Sequence, residues 1–153
     1  MTGHGIEIRI VCPDLEEALA GFFSILRTEG AEAHFHPHPL TAEEARRLCH
    51  SNGRDLYYVL VEEQQVLGYG MLRGWDAGYD IPSLGIAIRR SARGSGLASL
   101  LMKFLHTAAQ RRGATQIIMK VYRDNLVARR LYEHIGYTFR DAGGTQLLGS
   151  INL

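Results

Sequence analysis

The sequence is short of several things, and each shortage removes a class of protein. It holds two cysteines, Cys12 and Cys49, with no Cys-x-x-Cys spacing and no His-Cys cluster. A chain of 153 residues with so few thiols does not look like a disulfide scaffold, and a reducing compartment is the easier reading. Charge of one sign is lacking too. The formal net charge is +1, so no overall field favours nucleic acid or an anionic membrane. Long apolar runs are absent, and Met1 to Ile10 alternates polar and apolar residues, unlike a secretory signal or a membrane span. The expectation is a cytoplasmic protein with neither nucleic acid nor membrane as partner.

What is present suits one globular domain over residues 1–153, with 46% hydrophobic and 22% charged residues and enough length for a single substantial core. Arginines cluster locally at Arg89, Arg90 and Arg93 and again at Arg111 and Arg112, which fits a small anion better than a polyanion. Alternation marks a strand at Glu7–Val11, ended by Pro13. Asp14 is placed to cap a helix to about Thr28, and Ala33–Phe35 reads as extended. Thr41 with Glu44 forms a capping box for a helix to about His50. Leu56–Glu62 and Val66–Leu72, joined by Glu63-Gln64-Gln65, make a hairpin, and Ser83–Ile88 a further strand. Gly96–Arg112 is the clearest helix, with Leu97, Leu100, Leu101, Phe104, Leu105 and Ala108 as its apolar stripe and Gly113 as its stop. Strand Thr115–Tyr122, helix Asn125–His134 and strands Tyr137–Arg140 and Gln146–Leu153 complete the chain. The order predicts an α/β (α+β) fold, a single-domain mixed β-sheet flanked by helices on both faces, with a βαβ unit around the clearest helix.

One loop carries chemistry. A strand runs into Arg89-Arg90-Ser91-Ala92-Arg93-Gly94-Ser95-Gly96, and the strong helix starts at once. Small residues let backbone N–H groups approach a ligand, the helix dipole adds positive charge, and arginines offer paired donors to phosphate. A nucleotide P-loop needs Lys-Ser/Thr after its last glycine, where this chain has Leu97-Ala98. A dinucleotide fingerprint needs a third glycine and a carboxylate about twenty residues on; Gly96 is followed by Leu97-Ala98-Ser99, and 114–119 holds no carboxylate.

Arg93-Gly94-Ser95-Gly96-Leu97-Ala98 resembles the Arg/Gln-x-x-Gly-x-Gly/Ala motif of the GNAT (Gcn5-related N-acetyltransferase) superfamily. Asn125-x-x-Ala128-x-x-x-Tyr132-x-x-x-Gly136-Tyr137 resembles the C-terminal half of the same family, at the expected distance and in the expected order. The resemblance implies that acetyl-CoA is the acyl donor, with no metal. Backbone N–H groups of Arg93, Gly94, Ser95, Gly96, Leu97 and Ala98 would hold its pyrophosphate. Ile86 and Ile88 would pair with the pantetheine like an added strand, an N–H near Ile86 or Ala87 would steady the reacting carbonyl oxygen, Asn125 would contact the arm and Ala128 would leave it room. Tyr132 would be the acid that protonates the leaving thiolate. Many relatives carry a Glu on the central strands as base; Leu84–Ile88 has none, Asp80 and Glu62 are the nearest strand-end carboxylates, an ordered water is the other route for the proton, and the sequence assigns none of them. Arg90 stands where relatives often have proline, a change expected to alter loop stiffness.

The acceptor implied is a primary amine of a small molecule. The rivals are a protein lysine or N-terminal amine, and a non-catalytic acyl-CoA sensor, which would have less need of Tyr132. His34, His36 and His38, spaced by prolines 37 and 39, are extended enough to face one side, yet no carboxylate or cysteine completes a metal set, so a turn near the acceptor entrance is expected. Tyr57 and Tyr69 are read as packing residues. Trp75 and Tyr79, in a Gly-rich loop before the Ser83 strand, are placed to shape an acceptor pocket. An edge strand near the C-terminus offers a surface for a homodimer.

Overall fold

The computed structural model describes residues 5–153. The reading of Met1 to Ile10 therefore falls in part, at residues 1–4, outside the described residues. The elements in order are β1 (Ile6–Ile10), α1 (Glu16–Thr28), α2 (Ala42–Cys49), β2 (Leu56–Glu62), β3 (Gln65–Arg73), β4 (Ser83–Ile88), α3 (Leu97–Arg111), β5 (Gln116–Tyr122), α4 (Leu126–Ile135), β6 (Thr138–Asp141) and β7 (Gln146–Asn152). The seven strands form one sheet in the order β1-β2-β3-β4-β5-β7-β6. Every adjacent pair is antiparallel except β4 and β5, which run parallel across the α3 connection.

Two hydrophobic clusters cover the two faces. Leu101, Met102 and Leu105 of α3 and Tyr132 of α4 pack over Leu60, Leu72, Ile117, Met119 and Val121. Leu19, Phe22, Phe23 and Leu26 of α1 and Leu48 of α2 pack over Val59, Tyr69 and Met71. Strand alternation explains the division, since successive side chains point to opposite faces. Gly70 lets α3 approach β3: a Cβ there would lie 2.9 Å from Leu105 Cδ1. Tyr57 and Tyr69 are packing residues, with rings stacked 6.4 Å apart.

Four local expectations are corrected. Asp14 does not cap α1; Pro13–Leu15 is a 3-10 turn whose N-cap is Cys12, and α1 begins at Glu16. Proline's fixed φ and missing N–H suit that first turn. Ala33 is not extended but closes the 3-10 turn Ala31–Ala33. The buried face of α3 is Leu101, Met102, Leu105 and Ala109, while Leu100 and Phe104 are 41% and 36% exposed. Phe104 instead meets the Tyr58 ring edge-on at 4.9 Å. The hairpin turns on Glu63 and Gln64 alone, both at positive φ (49° and 69°), and Gln65 already belongs to β3. Thr41 does cap α2, its Oγ1 accepting the Glu44 N–H at 3.1 Å. The reciprocal half of the capping box is replaced by a Glu44–Arg47 ion pair.

Candidate functional site

The parallel pair β4 and β5 is in register at one position, Ser83 opposite Ile118, where the Ile118 N–H donates to Pro82 O at 3.1 Å. Beyond it the strands part, and the sheet opens as a wedge towards Ile88 and Tyr122. Register decides which backbone groups line the wedge. Ala87 lies opposite Tyr69 of β3, and the Arg89 N–H donates to Leu67 O at 2.9 Å. Alternate residues of an antiparallel strand point their polar groups to opposite neighbours. The odd residues Gly85, Ala87 and Arg89 therefore serve β3, while Leu84, Ile86 and Ile88 face the opening. Of the two expected carbonyl donors, Ile86 is on the open edge and Ala87 is not. The Ile88 carbonyl is already taken, accepting from Arg93 Nε at 3.1 Å, which leaves its N–H.

The glycine loop joins this edge to α3. Arg90–Ala92 makes a 3-10 turn, Gly94 and Gly96 take φ of 78° and 83°, and Ser95 Oγ donates to Ala92 O at 2.7 Å. Left-handed φ explains why glycine stands at both positions. Gly96 is the N-cap of α3 and supplies no side-chain acceptor, so the first N–H groups of the helix, from Leu97 and Ala98 onward, have no cap. A Cβ at Gly94 or Gly96 would meet nothing within 4 Å. The result is an open bed of backbone donors at a helix N-terminus, suited to an anion. Beside it, Arg89 Nε is buried with no hydrogen-bond partner among the described residues.

Across the wedge, Asn125 caps α4, its Oδ1 accepting the Ala128 N–H at 3.4 Å. The amide NH2 remains for a ligand. Ala128 packs at the edge of the α3–α4 cluster. Tyr132 is buried, 8% exposed, between the Tyr137 and Phe139 rings at 6.2 and 6.4 Å. Burial pushes its hydroxyl up to about 12, so it stays protonated at neutral pH. Burial also pushes the Tyr137 phenol up; that hydroxyl is engaged by His106 Nε2 at 2.8 Å.

The residues between α1 and α2 form a strap across the same opening. At one end, the Glu29 carboxylate accepts the Arg90 N–H at 3.0 and 3.1 Å, and Arg90 Nη2 donates to Glu29 O at 2.9 Å. A proline at position 90 could not make the first of these bonds, so Arg90 also ties the loop to the strap. At the other end, His34 Nε2 meets Asp124 Oδ1 at 3.1 Å and His36 Nε2 pairs with the Tyr122 hydroxyl. His38 turns inward, with Nε2 on the Tyr69 hydroxyl at 2.8 Å, and Arg73 Nη1 holds Pro37 O at 2.7 Å. The His34 and His36 rings both lie against the Tyr122 ring, at 5.5 and 5.7 Å, and only His38 turns away to Tyr69. Each spends Nε2 on a different partner, and among the described residues no His, Cys, Asp or Glu cluster of metal-binding size forms.

His38 makes the strap sensitive to acid. Its side chain is 4% exposed, and burial, opposed by Pro39 and Glu44 and aided by Arg73 and Arg47, lowers its pKa below 6.5. The Arg47 guanidinium beside Glu44 holds that carboxyl below its usual range. A depressed folded pKa means stability that is full above the unfolded value and lost as pH falls through the folded one. Thermal unfolding of the wild type should drop in midpoint below pH 6.5. His38→Gln should flatten that slope, by no more than about 1.4 kcal/mol per pH unit for one proton. His106, also lowered by burial, accounts for slope that remains. An identical slope in His38→Gln would remove His38 as the cause.

Three other expectations change. Trp75 is a core residue, 7% exposed, covered by the Arg112 guanidinium 5.0 Å from its ring. Its loop follows Arg73, which pairs with Ser83, so it sits at the closed end of the wedge, where Tyr79 is 68% exposed. Asp80 is exposed at that same closed end; Glu62 is exposed at the hairpin end of β2, the end at which the wedge opens, but β3 stands between it and β4. A cavity of about 430 Å³ lies between β1, α1 and the β2–β3 turn, lined by Glu7, Arg9 and Asp14 among others. It holds none of the wedge residues. The strap partners Glu29, Tyr122 and Asp124 were not singled out by sequence, because each contact joins segments far apart in the chain.

Comparison with known proteins agrees with this geometry. The Acetyltransferase (GNAT) family matches residues 15–137. No curated protein matches the sequence significantly. Among solved structures, the GNAT domain of S. lividans PAT superposes with a TM-score of 0.84 at 18% identity, covering 97% of this chain and 90% of that one. RimL, a ribosomal L7/L12 alpha-N-protein acetyltransferase in complex with coenzyme A, gives 0.81 at 16% identity, covering 100% and 97%. A GCN5-related N-acetyltransferase from Kribbella flavida gives 0.78 at 23% identity, covering 97% and 98%. These likenesses establish the shared fold, while the match over residues 15–137 establishes the lineage: the chain belongs to the GNAT acetyltransferase family and is an N-acetyltransferase.

Proposed function

We propose that the protein transfers an acetyl group from acetyl-CoA to the primary amine of a small molecule. The wedge and its loop fit the donor. The uncapped N–H groups from Gly94 to Ala98 would hold the pyrophosphate, the Arg93 N–H being already given to Arg90 O at 3.2 Å, and the open edge at Ile86 and Ile88 would pair with the pantetheine amides as a strand does. The Asn125 amide would meet the same arm from the other side, next to the space left by Ala128. Ile86 N–H would donate to the thioester carbonyl oxygen, stabilising the charge that gathers there. Tyr132 would donate to the departing sulfur. Holding donor and amine together supplies much of the rate.

The observation that carries the acceptor class is the strap. Bonds from Glu29 to Arg90 and from His34 to Asp124 tie it to both lips of the wedge. A bridged opening suits a compact amine or a chain end better than a lysine in mid-peptide, which needs a groove open at both ends. The free N-terminal amine of a protein is the second reading; it meets the same geometric condition, and RimL is named for that chemistry. Measuring kcat/KM for small primary amines, peptides with free N-termini and N-blocked lysine peptides separates the classes. The expected order places small amines first. Lysine peptides in first place would sink the small-acceptor reading.

A further inference from the structure

The reaction needs a group to remove the acceptor's proton, and neither β4 nor the carboxylates nearest in sequence supplies one. The structure points elsewhere. Ile117, Met119 and Val121 of β5 lie in the α3–α4 cluster, so Tyr122 projects from the opposite face, beneath the strap. It is the last residue of β5, beside the open part of the wedge. On that face β4 contributes Ser83, Gly85 and Ala87, none of which titrates near neutral pH. The Tyr122 hydroxyl is paired with His36 Nε2, their ring centroids 5.7 Å apart, and His36 is exposed to solvent.

The charged neighbours are otherwise engaged or turned outward. Asp124 holds His34, whose ring also lies 5.5 Å from Tyr122. Arg123 pairs with Asp141 and donates from Nε to Gly144 O at 3.0 Å. Arg90 holds Glu29, and Arg73 holds the strap backbone. Lys120, on the same face of β5, is exposed, and His38 is committed to Tyr69.

We propose that Tyr122 and His36 form the proton relay for the acceptor amine, a role that rests on the acetyl-transfer reaction proposed above. The amine nitrogen bonds to the acyl carbon and the carbon–sulfur bond breaks. The amine proton passes to the Tyr122 oxygen as the tyrosine's own proton passes to His36 Nε2. Tyr122 ends neutral and His36 holds the charge, which it discharges to solvent. The sulfur receives its proton from Tyr132, which is reprotonated from solvent, so the protein returns to its starting state.

Two measurements on the full chain test the relay. Nitrogen-15 NMR of the imidazoles at pH 8 reads the tautomer of His36. The relay requires the proton on Nδ1, with Nε2 accepting from Tyr122; a proton on Nε2 overturns it whether or not turnover is seen. In kinetics, Tyr122→Phe and His36→Gln should each lower kcat about 10- to 10²-fold with the KM for acetyl-CoA unchanged. Glutamine keeps an acceptor for the hydroxyl but cannot take the proton, so it separates positioning from transfer. The double variant should lose no more than the worse single variant, because the two act as one unit. His36→Gln should also lose the acidic limb of the kcat–pH profile. Losses that multiply, an unchanged acidic limb, or an effect confined to the acceptor KM would overturn the relay. A wild type without amine-dependent thiol release refutes the transfer reaction itself, and the tautomer still decides the pair.

Discussion

Tyr132→Phe is expected to lower kcat for amine acetylation about 10²-fold while leaving acetyl-CoA affinity within about twofold. The hydroxyl is the only polar atom of a side chain otherwise locked by the Tyr137 and Phe139 rings, so phenylalanine keeps the packing. The magnitude follows from acidity. At about 12, Tyr132 is a weaker acid than a thiol in water at about 8.5. A gap of about 3.5 units would make complete proton transfer uphill by about 5 kcal/mol. The thiolate would form beside this buried hydroxyl, however, where burial raises its proton affinity as well. The mismatch therefore narrows as the carbon–sulfur bond stretches, and Tyr132 contributes at the modest end of the range for general acids. A stopped assay for free thiol, with calorimetric titration of coenzyme A, separates the two parameters. Equal kcat in Tyr132→Phe and wild type would remove the tyrosine from the chemistry.

Gly96→Val should cost coenzyme A binding at least about 10²-fold, equivalent to about 2.7 kcal/mol. Gly96 sits at φ 83° as N-cap of α3, a conformation that a β-branched residue avoids. The space beside it is empty of protein, so valine would not clash internally. It would twist the bed of N–H groups and fill the place where the pyrophosphate is proposed to lie. Gly113→Val supplies the control. Gly113 has a similar φ of 89° and equally open surroundings, but it follows the C-terminal end of α3. That variant should lose stability and retain coenzyme A affinity. Comparable affinity losses at both positions would mean that strain, and not the loop, governs binding.

Local pattern carried most of this architecture and long-range register carried the rest. The first strand was legible from alternation, the central strands from apolar runs bounded by turn residues, and α3 from its apolar spacing, because those signals repeat over several residues. The facing of α3 was less legible: the stripe through Leu100, Phe104 and Ala108 and the one through Leu101, Leu105 and Ala109 have the same spacing one residue apart. Only the sheet against which α3 packs decides between them. Trp75 shows a similar limit. Its loop precedes the β4 strand in sequence, and the pairing of Arg73 with Ser83 is what sends it to the closed end. The glycine loop and Tyr132 could be read from motifs, since each motif is a compact run of residues. The strap could not. His36 meets Tyr122 and Glu29 meets Arg90 only after the wedge has formed, and neither partner stands out in its own neighbourhood. Even Ile86 and Ala87, adjacent in the chain, were separable only once β3 had claimed the polar groups of Ala87.

The central claim is that the wedge between β4 and β5 brings acetyl-CoA and an amine together for direct transfer. The most direct measurement incubates the wild-type protein with acetyl-CoA and a panel of primary amines, following thiol release and the mass of the amine product. The account predicts thiol release that rises with amine concentration, matched one for one by N-acetylated product. Coenzyme A binding with thiol release no faster in the presence of any amine than in its absence would contradict it.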